Sequence, residues 1–317
     1  MTEIKPTNCG VCNESGPLIQ KEVYGKSTLW ECGQCLGQFW TPMENPGAEW
    51  YEHDLRYSFR NLNPLVTDPE HNHREFLKDA PNKGGKLLDV GTGTGYFLAA
   101  ADKLDYDSYG IDFDQEAIIT ARDIFKLKNA YVGDVDYAIE KFGEHYFDVL
   151  TLFEVMEHLD KPKEFLVKAR QLLKSGGHIA ISVPFRGSWN VFKKFDKPPR
   201  HLTRWNQKSM KNFLESNGFK VVRTKVISAP FSFIIGRFHF WFKGIFSFGI
   251  VEKVAAKSKD ASGRLVDNSK INTLRKLALA KDYILFTIPA AFLYVYLWLV
   301  RKNGIDLYVL AKLGDID

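Results

Sequence analysis

Four cysteines, Cys9, Cys12, Cys32 and Cys35, form two C-x2-C pairs separated by nineteen residues, and the remaining 282 residues of the chain contain none. Paired thiolates on tight turns, here helped by Gly10 and Gly33, can converge on one metal ion. Four thiolates fill the tetrahedral coordination of Zn2+ and leave no open position, so the spacing predicts a structural ion. The spacer accommodates two short strands, residues 18–24 and 28–31, joined at Gly25 and Lys26, and reads as a zinc ribbon. So small a module has little core, and metal binding would supply most of its folding energy. Two redox-active CxxC pairs are the alternative, but no thioredoxin-like strand–helix pattern surrounds them.

A second group of candidates follows an apolar run at 86–90, which contains Asp89 and leads into Gly91-Thr92-Gly93-Thr94-Gly95. Helix-like spacing begins at Tyr96. A strand, a glycine turn and a helix bring backbone amides close to a ligand. An acid just before the glycines suits a cationic ligand, a sulfonium with an α-amino group, better than a pyrophosphate. Asp112 ends the next strand-like run, where a carboxylate can accept from ribose hydroxyls. Asp134, after the run 130–132, is placed to accept from an adenine amino group. A nicotinamide dinucleotide is the rival ligand; Tyr96 and Phe97 follow Gly95, so the G-x-G-x-x-G fingerprint is not completed.

Two histidines are candidate bases of middle pKa. His158 lies in Glu154-Val-Met-Glu-His158, after the strand-like run 147–153, and His201 lies in Pro198-Pro-Arg-His-Leu. Each has a competing structural role, His158 in orienting its loop and His201 as a buried packing residue. Arg200 and Arg204 could steer an anionic acceptor or be plain surface charges.

The elements that must position these groups are strands at 86–90, 108–112, 130–132, 147–153 and 178–184, with helices expected at 96–104, 115–127 and 163–173. Asp-Val-Gly-Thr-Gly-Thr-Gly, Gly-Ile-Asp-Phe-Asp, Gly-Asp, Phe-Asp-Val-Leu…Glu-Val-Met-Glu-His-Leu and Leu-Leu-Lys-Ser-Gly-Gly follow one another in order. Together they resemble class I S-adenosylmethionine-dependent methyltransferases, near the branch of ubiquinone-biosynthesis O-methyltransferases and bacterial sugar methyltransferases. Some members of that branch also begin with a paired-CxxC module. The resemblance implies a Rossmann-like α/β fold with a seven-stranded methyltransferase sheet. It implies S-adenosylmethionine as donor, with Asp89, Gly91, Thr92, Gly93 and Gly95 at its methionine part. It further implies Asp112 on the ribose, Phe113 against adenine, Asp134 on the adenine amino group, and Phe153 and Glu154 completing the set.

The expected organisation is a zinc ribbon over 1–45, a helical linker over 46–82 and a cofactor-binding core over 83–230. A hydrophobic helical insertion at 231–304 precedes the final strand of the core at 305–317. The linker's aromatic residues either line an acceptor pocket or pack on the core. Residues 231–250 are phenylalanine-rich, and residues 283–300 carry no charge, at the lower limit for crossing a bilayer. Since both ends of the insertion must return to one sheet, a monotopic or re-entrant helix pair fits better than a single span. A helical cap or a homo-oligomer interface is the competing reading, and residues 258–270 read as a flexible loop.

The composition is that of a folded protein, with a net charge of only +5. The start of the chain has no apolar signal segment, which predicts a cytoplasmic protein, peripheral at the inner face of the membrane if the insertion contacts lipid. The leading expectation is O-methylation of a sugar or lipid-linked glycan hydroxyl. An RNA methyltransferase and a non-catalytic scaffold are the alternatives. Nucleic acid is disfavoured because acidic residues outnumber lysines in the ribbon segment.

Overall fold

The computed structural model describes residues 5–47, 50, 71–187, 196–246 and 268–314. The aromatic linker over 51–70 and the expected loop over 258–267 lie outside them. Two compact units form, one from Met1–Ile227 with Ile305–Asp317 and the other from Ser228–Gly304.

In the first unit, β1 (Leu18–Tyr24), β2 (Ser27–Cys32) and β3 (Gln38–Thr41) form an antiparallel meander. Its first turn is tight because Gly25 takes a left-handed φ of 59°. Helix α1 (His71–Lys78) precedes the core. The core then alternates β4 (Lys86–Val90), α2 (Tyr96–Ala101), β5 (Asp107–Asp112), α3 (Gln115–Phe125), β6 (Ala130–Val132), α4 (Val135–Phe142) and β7 (Phe147–Phe153). It continues through α5 (Pro162–Leu172), β8 (Leu173–Pro184), the two-residue β9 (Thr203–Arg204), α6 (Gln207–Glu215) and β10 (Phe219–Ser228). Helices α3, α4 and α6 start where Asp114, Asp134 and Asn206 accept from a backbone amide of the first turn.

After α7 (Phe231–Phe246) and α8 (Asn268–Leu299) of the second unit, the chain returns as β11 (Gly304–Leu313). The main sheet has seven strands in the order β10-β11-β8-β7-β4-β5-β6. Strands β4 to β8 pair in parallel, and β11 pairs antiparallel with β8 from Asp306 opposite Pro184 to Lys312 opposite His178. This is the expected Rossmann-like sheet, with its last strand delayed by the hydrophobic insertion. Parallel strands covered on both faces read as continuous apolar runs, and Leu87, Leu88, Leu150, Leu152, Ile179 and Ile181 are all completely buried. Each contributes roughly 1.5–3 kcal/mol from its burial.

The sequence reading missed two things here. Helix α4 is only eight residues long, too short for a clear helical period. The ribbon also has a fourth strand from far along the chain: β3 pairs antiparallel with β9 through Gln38–Arg204 and Phe39–Thr203. Two residues of pairing leave no pattern in a sequence.

Candidate active site

The residues after β4 turn back under the sheet edge through Gly91 and Gly95, both at positive φ. A Cβ on Gly91 would lie 2.6 Å from Val155 Cγ2, and one on Gly95 would run into Leu127 Cδ1, so only glycine fits at either place. The Asp112 carboxylate, at the tip of β5, accepts from Gly93 N at 2.7 Å and from Asp114 N at 2.9 Å. One side chain therefore ties the glycine turn to the start of α3.

A cavity of about 360 Å3 opens at this edge. Gly91, Asp112, Phe113, Asp134, Phe153, Glu154 and His158 all line it. Phe113 is half exposed there, unusual for a large apolar ring and suited to stacking on a flat ligand. Asp134 divides its role, since its Oδ1 accepts from Tyr137 N at 3.0 Å as the cap of α4. Thr92, Gly93, Gly95 and Asp89 are not among the lining residues.

Asp89 sits behind the turn instead of facing the cavity. It is buried and accepts from Thr151 Oγ1 at 2.6 Å, and burial pushes its pKa up to about 7. Between about pH 4 and 7 the folded protein keeps this proton while the unfolded chain has lost it. Stability therefore falls as pH rises through that window, by roughly 4 kcal/mol in all, and stays low above it. Asp89→Asn is expected to raise the melting temperature of the ligand-free protein by several degrees at pH 8 and by less than half as much at pH 5. Thermal melts at the two pH values check this; an equal shift at both would show that the proton is not the cause.

A second cluster reaches the cavity through His158. After Glu154, held at a φ of 58°, one turn of 3-10 helix at Met156–His158 turns Glu157 inward. Glu157 is 1% exposed, and neither carboxylate oxygen has a hydrogen-bond partner. His158 Nε2 lies 3.7 Å from Glu157 Oε1. Burial pushes Glu157 up to about 7, against the attraction of His201. His158 Nδ1 lies 2.6 Å from the carbonyl oxygen of Arg200, so Nδ1 carries the proton and Nε2 is the basic nitrogen of the neutral ring. His201 Nδ1 lies 3.0 Å from Asp196 Oδ1 and is fixed by the same logic. The two rings meet edge to face with centroids 5.0 Å apart. One ligand atom each of Glu157, His158 and His201 falls within 4.8 Å of the others, close enough for a shared proton network or a cation. His201 does not line the cavity and acts at one remove. Glu157 and Asp196 were not singled out from sequence; an acid beside His158 and another five residues before His201 were the available signals. Arg204 is no steering charge: it is 6% exposed, 2.7 Å from Asp196 Oδ2 and 2.8 Å from Glu22 Oε2.

The cysteines form the third cluster. All four are buried, with Sγ atoms 3.8 Å apart for Cys9–Cys35 and 4.0 Å for Cys12–Cys32. Bonds of about 2.3 Å from a tetrahedral zinc give sulfur–sulfur edges of about 3.8 Å, so the donor set fits the ion. Amides of Val11 and Cys12 point at Cys9 Sγ, that of Gln34 at Cys32 Sγ and that of Gly37 at Cys35 Sγ, all within 3.5 Å. Such donors stabilise thiolates.

This cluster is wired to the previous one. Trp40 N donates to Leu202 O at 2.9 Å, and Leu202 N donates to Glu157 O at 2.7 Å. Thr203 Oγ1 donates to Met156 O at 3.2 Å. The ribbon's last strand thus holds the segment that carries His201, and that segment holds the Glu157–His158 turn.

The chain matches the methyltransferase-domain family over residues 53–224. A ubiquinone biosynthesis O-methyltransferase of Roseobacter denitrificans is 31% identical over 144 residues, 42% of this chain and 58% of that protein. The mitochondrial ubiquinone biosynthesis O-methyltransferase of Candida albicans is 30% identical over 186 residues, 51% of this chain and 56% of that protein. The matches thus span a little over half the length of these relatives. A SAM-dependent methyltransferase structure from Archaeoglobus fulgidus superposes with a TM-score of 0.51 at 18% identity, over 82% of this chain and 100% of that one. At that identity the likeness establishes the shared fold.

Proposed function

Because this chain belongs to the methyltransferase-domain family, we propose that it transfers the methyl group of S-adenosylmethionine to a hydroxyl acceptor. One observation carries the reading: Asp112, Phe113, Asp134 and His158 all line a single cavity. Asp112 and Asp134 offer acceptors for ribose and adenine, and Phe113 offers a face for the base. S-adenosylmethionine supplies the electrophilic methyl group when bound. The chain's own task is to align the acceptor and take its proton, a role we assign to His158 with Glu157 and His201 behind it. We further propose that Cys9, Cys12, Cys32 and Cys35 hold a structural zinc ion.

For the acceptor we propose a sugar or lipid-linked glycan hydroxyl. The O-methyltransferase relatives support an oxygen nucleophile, and the hydrophobic insertion supports a lipid-linked one. The test is incubation of the protein with methyl-labelled S-adenosylmethionine and cell extract separated into lipid, glycan, RNA and protein fractions. Label is expected in the lipid or glycan fraction. Asp112→Ala removes hydrogen bonds to a charged group, each worth about 1.5–3 kcal/mol. It is expected to weaken cofactor binding by tenfold to a hundredfold in calorimetry and to abolish labelling at limiting cofactor. Label confined to RNA or protein would sink the acceptor assignment, and unchanged cofactor affinity would sink the role of Asp112.

A further inference from the structure

The second unit, Ser228–Gly304, is a helical hairpin. Its ends are clasped by Ala229 N donating to Asn303 O at 2.8 Å and by Asn303 Nδ2 donating to Ser228 Oγ at 3.1 Å. Helices α7 and α8 pack through one stripe: Ile234 and Ile235 on α7 are buried, as are Phe286, Ala290 and Leu297 on α8. Rings of Phe231 and Tyr294 meet across it at 5.8 Å, and those of Phe238 and Phe286 at 6.0 Å.

From Tyr283 to Leu299 the outer face of α8 is apolar and exposed. Ile284 is 82% exposed, Phe292 76% and Ile288 72%, and Leu285, Tyr296, Trp298 and Leu299 are also exposed. With Tyr283, which is exposed as well, these positions spread at 100° per residue over about 220°, more than half of the helix circumference. A stripe of roughly 100° is what packing against a protein core consumes. A second copy of the chain would therefore leave much of this surface in water, whereas lipid wraps an apolar helix from every open side.

The polar residues agree with lipid. No charge occurs between residues 283 and 300, while Lys281 and Asp282 stand at one end and Arg301 and Lys302 at the other. Tyr294, Tyr296 and Trp298 cluster toward the Arg301 end, as side chains do at the depth of the headgroups. Among the described residues no helix is long and apolar enough to cross a membrane. From these observations we infer that the α7–α8 hairpin docks into one leaflet of a bilayer containing anionic phospholipid, apolar face in the acyl boundary and the Arg301–Lys302 end at the headgroups.

The test floats the full-length protein with vesicles of phosphatidylcholine alone or mixed with phosphatidylglycerol. The protein is expected to co-float with the mixed vesicles, and more weakly with the neutral ones. Ile288→Glu/Phe292→Glu alters two solvent-exposed side chains, so the fold should survive, as circular dichroism can verify. It is expected to cut vesicle binding by roughly tenfold or more. Arg301→Glu/Lys302→Glu is expected to remove the preference for phosphatidylglycerol. Failure to float with either vesicle overturns the inference, as does unchanged binding by the first variant. So does a dimer in light scattering that this variant dissociates without any lipid binding, which would assign the face to a second copy.

Discussion

Metal-free protein is expected to lose about a hundredfold in methyl-transfer rate while its affinity for S-adenosylmethionine stays within a few fold. The two halves of this expectation come from different parts of the first unit. Asp112, Phe113 and Asp134 stand at the ends of β5 and β6, which pair with no ribbon strand among the described residues. His201, by contrast, sits directly before Leu202 and β9, and β9 is the fourth strand of the ribbon sheet. With the proposed zinc on its four cysteines, a ribbon of this size would keep its shape mainly through that ion, whose binding would be worth roughly 10 kcal/mol or more. Without it, the Trp40–Leu202 and Phe39–Thr203 contacts lose their support, and the segment is free to shift against Glu157 and His158. A displacement near 1 Å in an active site costs on the order of a hundredfold. Cys32→Ser measures the same effect without a chelator, which would also reach any cation at Glu157. A metal-depleted or Cys32→Ser protein with full turnover would reduce the ribbon to an ornament on the fold.

How much of this was legible beforehand depended on whether neighbours in space were neighbours in sequence. The glycine turn, Asp112 and the Cys pairs are local motifs whose chemistry is written within a few residues, and each appears where its spacing put it. The return of β11 after the insertion was readable because residues 305–312 are β-rich and the resemblance implies a seventh strand that closes the sheet. The β3–β9 pairing was not readable. It joins Phe39 to Thr203 through two residues beside Arg204, whose ion pairs with Asp196 and Glu22 look like solvent-facing charges in a linear sequence. Asp89 shows a subtler gap. Its position before the glycines was plain, but whether its carboxylate faced a ligand or Thr151 depended on β7, sixty-two residues away. Glu157 was hidden for a similar reason, since only the 3-10 turn distinguishes a buried acid from an exposed one beside a histidine.

His158→Gln is expected to lower kcat by a factor of about a thousand, within the range for loss of a general base, with cofactor affinity unchanged. Glutamine keeps a similar reach and can still donate to the Arg200 carbonyl, so the loop should hold. The pH dependence adds a second readout. Glu157, at about 7, loses its proton near neutrality, and the resulting carboxylate 3.7 Å from His158 Nε2 favours a protonated imidazole. The rate should therefore rise with pH through a midpoint near 7, a value belonging to the interacting pair and not to one residue. Glu157→Gln should lower the plateau roughly tenfold and remove that step, while leaving the fold more stable above pH 7, because a buried unpaired carboxylate is gone. His201→Gln should behave as a positioning change, mild in kcat and rescued in part at high acceptor concentration. A different pattern would assign the cluster differently. Equal, severe losses in all three variants, together with turnover that depends on added divalent cation while the ribbon stays loaded, would make Glu157, His158 and His201 a ligand set and remove His158 as the base.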